Sequence, residues 1–185
     1  MATVMKTNSQ LLQIALLGNP VLRKKTKPVR DINDQKIQQL IDDLLTTVMD
    51  VNGVGISAPQ VYQSYRICIV ASHPNPRYPN APLMKPTPVI NPIIVSHDEK
   101  IEKGWEGCLS IPGLRGLIPR YTKIHVEYSD RNGKRIKRTF SDFIARIFQH
   151  EYDHLEGILF TDRMETNRDL ISEKEYFKLL ETKHN

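Results

Sequence analysis

Residues 150–154 read His-Glu-Tyr-Asp-His, an H-E-x-x-H pattern in which two imidazoles are four residues apart. On an α-helix, residues with this spacing lie on one face, so His150 and His154 can bind one metal ion through a ring nitrogen each. Glu151 can then lean over the open side of the ion and act as a general base. The pattern predicts a hydrolytic metal centre; the alternative is a solvated helix that carries two surface histidines.

The residues around this motif favour a buried helix. Ser141 is a suitable N-cap for a helix that contains the motif, and Gly157 follows the motif as a helix-stopping glycine. Apolar residues lie within and beside the motif helix: Ile144, Ile147, Phe148 and Leu155. Such a helix packs against a core, and buried histidines with an intervening glutamate need polar partners or a metal ion.

A third metal ligand is needed, because a hydrolytic site usually has three protein ligands and one position for water. Metalloproteases with this motif use a glutamate from a later helix or a third histidine just downstream. The tail after His154 is too short to build that second helical domain. Cys108, in a tight segment between Gly107 and Leu109, is the better candidate, although taken alone it is equally well explained as a buried structural thiol.

The composition is that of an ordinary globular domain. With 185 residues, 39% of them hydrophobic, we expect one domain over residues 1–185, with a loose N-terminus at 1–10 and a short helical tail at 165–185. No apolar run reaches the roughly 18 residues of a membrane span, and no secretory signal is recognised. The cysteines then indicate a reducing compartment, with Cys68 as a core residue.

Between the motifs, short apolar runs alternate with turn signals. Residues 34–51 repeat apolar side chains at helical spacing behind Asn33 as N-cap, and residues 173–181 predict a terminal helix. Short strands are predicted at residues 66–71, 89–90, 93–95, 116–118, 123–128, 135–140 and 158–160. Residues 73–92 are rich in proline and predict an irregular loop. The expected fold class is α+β: short antiparallel strands packed around a central metal-binding helix that bears H-E-x-x-H.

The chain resembles the peptide deformylase family in three sequence blocks, which together are very specific for that family. Residues 53–60 (Gly-Val-Gly-Ile-Ser-Ala-Pro-Gln) resemble the first family motif, residues 106–110 (Glu-Gly-Cys-Leu-Ser) the second, and residues 149–154 (Gln-His-Glu-Tyr-Asp-His) the third. The blocks occur in the family's order, and the resemblance extends over residues 12–164. The cysteine is followed by leucine, as in the common bacterial type.

The resemblance implies a reaction that removes the formyl group from the N-terminal formyl-methionine of new polypeptides and releases formate. It implies that Cys108, His150 and His154 hold a divalent ion with water in the fourth position. Glu151 would take the proton of this water and later deliver one to the departing nitrogen.

The same family resemblance implies roles for further residues in catalysis and in substrate binding. The Gln60 side-chain amide and the Leu109 backbone N–H would stabilise the oxyanion. The residues expected to bind substrate are Gly55, Val54, Arg115, Phe143 and Ile147. Of these, Gly55 would pair with the substrate backbone and Arg115 would help to position the peptide. The other three are candidates for the methionine pocket, with ordinary core packing as the alternative. We also expect Glu106 and Arg120 to pair and brace the cysteine loop.

The sequence departs from the family pattern in three places. Ser57 replaces one of two alanines in the first motif, which we interpret as a packing position. The proline-rich loop at 73–88 is longer than in the shortest members and can alter the rim of the active site. The tail after Met164 is short and of mixed charge, whereas some bacterial members have a longer basic helix implicated in ribosome docking.

The expected cofactor is one divalent metal ion. A thiolate and two imidazoles suit Zn²⁺, Fe²⁺, Ni²⁺ or Co²⁺, and the resemblance favours Fe²⁺ in the cell. The expected partners are N-formyl-methionyl nascent peptides and, transiently, the ribosome, whose polyanionic surface a net charge of +5 favours. No specific nucleic acid and no membrane is expected, and the default location is the cytoplasm, with an organelle as the alternative.

Two other functions stay open at this stage. A zinc endopeptidase would share H-E-x-x-H but would take a carboxylate or a histidine as third ligand. A noncatalytic metal-binding module would close all four positions with protein ligands, and Cys68 is the spare cysteine that could serve as the fourth.

Overall fold

The structure is a computed structural model that describes residues 9–182. This part of the chain forms three α-helices and eight strands. The helices are α1 (Gln35–Asp50), α2 (Asp142–Leu155) and α3 (Glu173–Thr182). The strands are β1 (Gly55–Ser57), β2 (Ile67–Val70), β3 (Thr87–His97), β4 (Ile101–Cys108), β5 (Ile111–Tyr121), β6 (Lys123–Ser129), β7 (Arg135–Ser141) and β8 (Leu170–Ser172).

Two antiparallel sheets organise these strands. One has the order β1-β2-β3-β6-β7, and the other has the order β4-β5-β8. Helices and antiparallel sheets thus form one mixed architecture, which confirms the α+β prediction at this level. No helix among residues 9–182 is both long enough and apolar enough to cross a bilayer.

Strand β2 is buried on both of its faces. Successive side chains of a strand point to opposite faces. Ile67 and Ile69 accordingly pack in one buried cluster with α1, whereas Cys68 and Val70 pack in another with α2. All four residues are 0% exposed. The expectation that Cys68 is a core residue is confirmed.

Helix α1 begins one residue later than its sequence pattern suggested. Asp34, and not Asn33, is the N-cap, and its carboxylate accepts a hydrogen bond from the Lys36 N–H at 2.7 Å. The apolar stripe of the helix faces the core, where Ile41, Leu44 and Val48 are fully buried.

Helix α2 carries the H-E-x-x-H residues and packs against β1, β2, β6 and β7. Ser141 occupies the N-cap position, but its side chain makes no capping hydrogen bond. The helix ends at Leu155, and Gly157 follows with a φ of 76°. A side chain at Gly157 would meet the Arg23 backbone at 2.8 Å, so both its conformation and its surroundings require glycine.

Several elements differ from the sequence-based expectation. The predicted strand at 158–160 is wrong: Leu159 and Phe160 are buried, but the chain forms a 3₁₀ turn at Phe160–Arg163. The predicted tail contains a strand, β8, which pairs with β5 before α3 begins. Strand β4 was not expected either. Of the residues expected to be loose at 1–10, numbers 1–8 lie outside the described part, and the Gln10 N–H donates to Asp43 at 2.9 Å.

Candidate metal centre and active site

Cys108 lies at the tip of the β4–β5 hairpin. The strand pairing is irregular here: Glu106 pairs with Gly116, but Cys108 pairs with Ile111 across the turn. Gly107 occupies the shift because a Cβ there would lie 2.7 Å from Cζ of Arg115. The hairpin thereby brings the thiol against the buried face of α2.

Three metal-binding side chains converge at this point. One ligand atom from each of Cys108, His150 and His154 lies within 4.8 Å of the other two. The Cys108 Sγ is 3.3 Å from Nε2 of His154, and the two imidazole rings are 5.0 Å apart between centroids. A thiolate with two imidazoles is a donor set that suits Zn²⁺, Fe²⁺ or Co²⁺. Cys68 packs in the core of β2 and is not part of this cluster.

A buried carboxylate orients His150. Glu106 is 3% exposed, and its Oε2 lies 2.9 Å from Nδ1 of His150. A hydrogen bond at Nδ1 leaves Nε2 as the ring atom available to the cluster.

Arg120 neutralises the charge behind the cluster. It donates through Nε and Nη2 to both oxygens of Glu106, at 2.9 and 3.0 Å, and through Nη1 to Asp153 at 2.5 Å. Burial alone would raise the pKa of the Glu106 carboxyl, but the charge of Arg120 and the hydrogen bond with His150 hold this pKa well below its usual range. The expected Glu106–Arg120 pair is present, and it extends to the motif helix through Asp153.

Glu151 lies on the cavity side of α2 and is 4% exposed. Burial raises the pKa of its carboxyl to about 7. Among residues 9–182, Oε2 of Glu151 has no hydrogen-bond partner. A Cβ at Gly55 would lie 2.9 Å from Cδ of Glu151, so a side chain at position 55 would displace this carboxylate. The missing side chain at Gly55 therefore keeps space for Glu151.

Gln60 is held with its amide nitrogen toward the cluster. Its Oε1 accepts hydrogen bonds from the backbone N–H of Ser57 at 2.9 Å and from the Ser57 hydroxyl at 3.1 Å. Its Nε2 then lies 3.4 Å from Cys108 Sγ and 3.3 Å from the Ser110 hydroxyl. Ser57 is fully buried, as a packing position would be, but its hydroxyl also orients Gln60, which the sequence interpretation missed.

One cavity of about 190 Å³ gathers the candidate residues. All of the predicted site residues except His154 line it, and His154 lies behind Cys108 at 1% exposed. Its apolar wall includes Val54, Phe143 and Ile147. Leu109, which follows Cys108 at the hairpin tip, also lines the cavity.

Among the lining residues that the sequence analysis did not assign to the site are Tyr78 and Glu173. Both contact Arg115, which is 2% exposed. Arg115 donates to the Tyr78 hydroxyl at 2.8 Å and to Glu173 at 2.6 Å, and its guanidinium lies 4.9 Å from the centre of the Tyr176 ring. Arg115 therefore joins the proline-rich loop to α3 at one side of the cavity. Tyr78 lies in an irregular loop and Glu173 in the tail. Neither residue is connected to the three motifs by helical or strand spacing, so the sequence alone did not indicate them.

The chain is similar in sequence to known hydrolases of one family. A family model described as polypeptide deformylase matches residues 11–169. The chain is 61% identical over 173 residues to peptide deformylase 2 of Nostoc sp., with 94% of this chain and 97% of the relative covered. It is 44% identical over 158 residues to peptide deformylase 2 of Shewanella oneidensis, with coverages of 85% and 87%.

The fold is also similar to solved structures. A Met-Ala-Ser-bound class I type b peptide deformylase from Acinetobacter baumannii matches with a TM-score of 0.82 and 44% identity, over 84% of this chain and 99% of that chain. A peptide deformylase from Synechococcus elongatus in complex with actinonin matches with a TM-score of 0.76 and 32% identity, over 91% and 88%.

Proposed function

The chain belongs to the polypeptide deformylase family and is a hydrolase that removes the formyl group from N-terminal formyl-methionine; we propose that Cys108, His150 and His154 hold the metal ion for this reaction. The observation that carries the proposal is their convergence within 4.8 Å, beside a buried carboxylate and next to a cavity. When bound, a divalent ion supplies Lewis-acid chemistry: it lowers the pKa of water and polarises a carbonyl oxygen.

Glu151 is the proposed general base and acid. A carboxyl whose pKa is raised to about 7 by burial can take a proton from the attacking water at neutral pH and hold it. The water oxygen bonds to the formyl carbon, the carbon–nitrogen bond breaks, and Glu151 returns the proton to the departing nitrogen. The products are formate and a free amino terminus.

Two donors are proposed to stabilise the negative charge that develops on the formyl oxygen. The first is Nε2 of Gln60, whose orientation is fixed by Ser57. The second is the backbone N–H of Leu109. Because the Gln60 amide is held in position before substrate binds, this donor needs little reorganisation during the reaction.

The apolar wall of the cavity is the proposed methionine pocket. Val54, Phe143 and Ile147 offer the apolar surface that a thioether side chain needs. Gly55 lines the same cavity next to the Glu151 carboxylate, where a side chain would not fit. A Met-Ala-Ser peptide is bound in the Acinetobacter baumannii relative, and we infer that this chain takes formyl-Met-Ala-Ser in the same cavity. Arg115 supports the rim of the cavity, where the peptide leaves it.

Fe²⁺ is the proposed ion in the cell, and Zn²⁺, Ni²⁺ or Co²⁺ can occupy the same donor set. A ferrous thiolate site that opens to a cavity is sensitive to oxygen, because both the ion and the Cys108 sulfur can be oxidised. The purified protein is therefore expected to lose activity in air and to recover part of it after treatment with a thiol reductant and Fe²⁺.

We place the reaction in the cytoplasm, within one catalytic domain over residues 1–185 and in transient contact with ribosomes that release formylated chains. An endopeptidase with a carboxylate as third ligand finds no support in the site, since the cluster is completed by Cys108. Glu173, which would be a candidate for such a ligand in the tail, pairs with Arg115 instead.

Formate release from formyl-Met-Ala-Ser tests the proposed function. The full chain is purified without oxygen, reconstituted with Fe²⁺ and compared with a sample stripped by a chelator. Release by the loaded sample, loss after stripping and recovery with Fe²⁺ are expected. A folded, metal-loaded protein that releases no formate would contradict the proposal, and cleavage of an internal peptide bond would favour an endopeptidase.

A further inference from the structure

A second cavity of about 280 Å³ lies next to the active-site cavity. Three residues line both cavities: Tyr78, Phe143 and Arg146. The far side of the second cavity is formed mainly by apolar and aromatic side chains, namely Trp105, Tyr176, Leu179 and Leu180. Nothing in the proposed deformylation mechanism uses this second space.

Tyr78 and Phe143 are the two aromatic residues in the wall that both cavities share, and we call this pair of rings the partition. The ring of Tyr78 lies 4.9 Å from that of Phe143, tilted by 53°. The Tyr78 hydroxyl accepts hydrogen bonds from Arg115 at 2.8 Å and from the Gly107 N–H at 3.4 Å. Arg146, beside them, donates to the Ile118 carbonyl at 2.7 Å. Each shared residue is therefore held by contacts on another element.

The backbone that carries Tyr78 is also fixed. Asn75 is 8% exposed, and its Oδ1 accepts from the backbone N–H groups of Arg77 and Tyr78 at 3.0 and 3.1 Å. The hydroxyl of Tyr176, on α3, donates to the Arg77 carbonyl at 2.9 Å. The turn of the proline-rich loop that carries Tyr78 is thus held by the Asn75 side chain and by Tyr176 of α3.

We propose that Tyr78 and Phe143 set the depth of the pocket that receives the first side chain of the substrate, which rests on the proposed deformylase function. The unbranched four-atom side chain of methionine fits in front of this partition. A longer unbranched apolar chain would have to displace one of the rings. Without either ring the pocket joins the second cavity, whose apolar walls suit a longer alkyl chain. Tyr78 and Phe143 are thus specificity-determining residues contributed by two different elements.

The test is a comparison of kcat/KM for two substrates that differ in their first side chain. Formate release is measured from formyl-Met-Ala-Ser and from a peptide with 2-aminodecanoic acid in place of methionine, with full-length, metal-loaded protein. Both Tyr78→Ala and Phe143→Ala should raise the ratio of long-chain to methionine kcat/KM by about tenfold or more, since each methylene accommodated in a pocket carries a discrimination of that order. Tyr78→Phe keeps the ring and should keep the wild-type ratio within about twofold.

A substitution in the second cavity provides the matched control. Leu180→Trp fills that space and should leave activity on formyl-Met-Ala-Ser unchanged in the wild-type background. Combined with Tyr78→Ala, it should return the ratio toward the wild-type value. If Tyr78→Ala does not fold, the kcat/KM ratio of Phe143→Ala alone tests whether the rings limit the depth of the pocket.

The possible outcomes separate the two proposals. Wild-type release of formate, together with wild-type ratios in folded Tyr78→Ala or Phe143→Ala protein, would overturn the partition alone. No release from formyl-Met-Ala-Ser by the wild-type protein would overturn the deformylase function itself.

Discussion

The Glu106 carboxylate lies 2.9 Å from Nδ1 of His150 and, at the same time, accepts two hydrogen bonds from Arg120. A residue on β4 thereby fixes the ring of a residue on α2, and a charge from β5 keeps that carboxylate ionised. The candidate metal cluster on α2 is therefore supported by residues of the β4–β5 hairpin. Its geometry depends on the contact between the β4–β5 hairpin and the motif helix.

Removing the charge of Glu106 should weaken metal binding. Glu106→Gln keeps the shape of the side chain but weakens the acceptor at Nδ1 of His150, and such changes typically cost about 10- to 100-fold in metal affinity. Competition for Zn²⁺ against a chelator of known affinity measures the effect. Glu102→Gln, on an exposed part of the same strand, should leave the affinity unchanged. An unaltered affinity in Glu106→Gln would refute the orienting role.

Arg120 should be important for stability. Arg120→Met removes the guanidinium that the buried Glu106 and Asp153 share. Breaking a buried pair from one side typically costs about 3–5 kcal/mol, and this is the upper bound here because Glu106 keeps Arg146 and Asp153 keeps Arg163. Urea unfolding at a fixed metal concentration measures the free energy of unfolding. Lys103→Met removes surface ion pairs with Glu165 and Asp169 and should change the free energy of unfolding by less than about 1 kcal/mol. Equal losses in the free energy of unfolding for the two variants would contradict a stabilising role of Arg120 in the buried network.

Gln60 should affect the rate more than binding. Gln60→Ala removes a donor aimed at the developing oxyanion, and loss of one such donor typically lowers kcat by about 10²- to 10³-fold. Ser57→Ala retains the backbone N–H that bonds to Oε1 of Gln60, so it should lower kcat by no more than about threefold. Steady-state kinetics with formyl-Met-Ala-Ser separates kcat from KM. A variant of Gln60 with an increased KM and normal kcat would speak for substrate binding instead.

The two cysteines should differ in reactivity. Burial raises the pKa of the Cys68 thiol well above its usual value, so its thiolate forms only at pH values above that raised pKa or after unfolding. Cys108 is partly exposed and is a proposed ligand. At pH 8 we expect slow reaction with a disulfide reagent when metal is bound and one fast thiol after chelation. The second thiol should react only in denaturant.

Cys108→Ser is the control for this assignment, because it should abolish the fast thiol. Two fast thiols in the folded, metal-free protein would contradict the burial of Cys68. A rate that does not change when metal is removed would contradict the ligand role of Cys108.

The sequence singled out the residues that converge in the candidate metal cluster, but it said less about the elements that surround them. His150, Glu151 and His154 are related by helical spacing, and Cys108 was found through a motif, so these predictions needed no knowledge of long-range contacts. Strand β4 was missed because its first three residues are exposed and carry no alternating apolar pattern. The apolar run at 158–160 favours a strand, but Leu159 and Phe160 are buried from an irregular backbone and a 3₁₀ turn.

Tyr78 and Glu173 illustrate what a single sequence does not contain. Their positions are set by contacts with Arg115, which lies 37 and 58 residues away along the chain. A proline-rich loop has no periodicity from which the direction of a side chain could be inferred. Such residues become visible only when the packing of the loop, the hairpin and α3 is known.

The role of Glu151 is tested most directly by comparing the wild-type protein with Glu151→Ala, both loaded with one equivalent of Fe²⁺ under anaerobic conditions. Bound metal is quantified in each sample, and formate release from formyl-Met-Ala-Ser is then measured. We expect equal metal content and a kcat that is lower by about 10² to 10⁴-fold in Glu151→Ala, because the ligands remain but the base is missing. A variant that holds its metal and releases formate at nearly the wild-type rate would contradict the central role of Glu151.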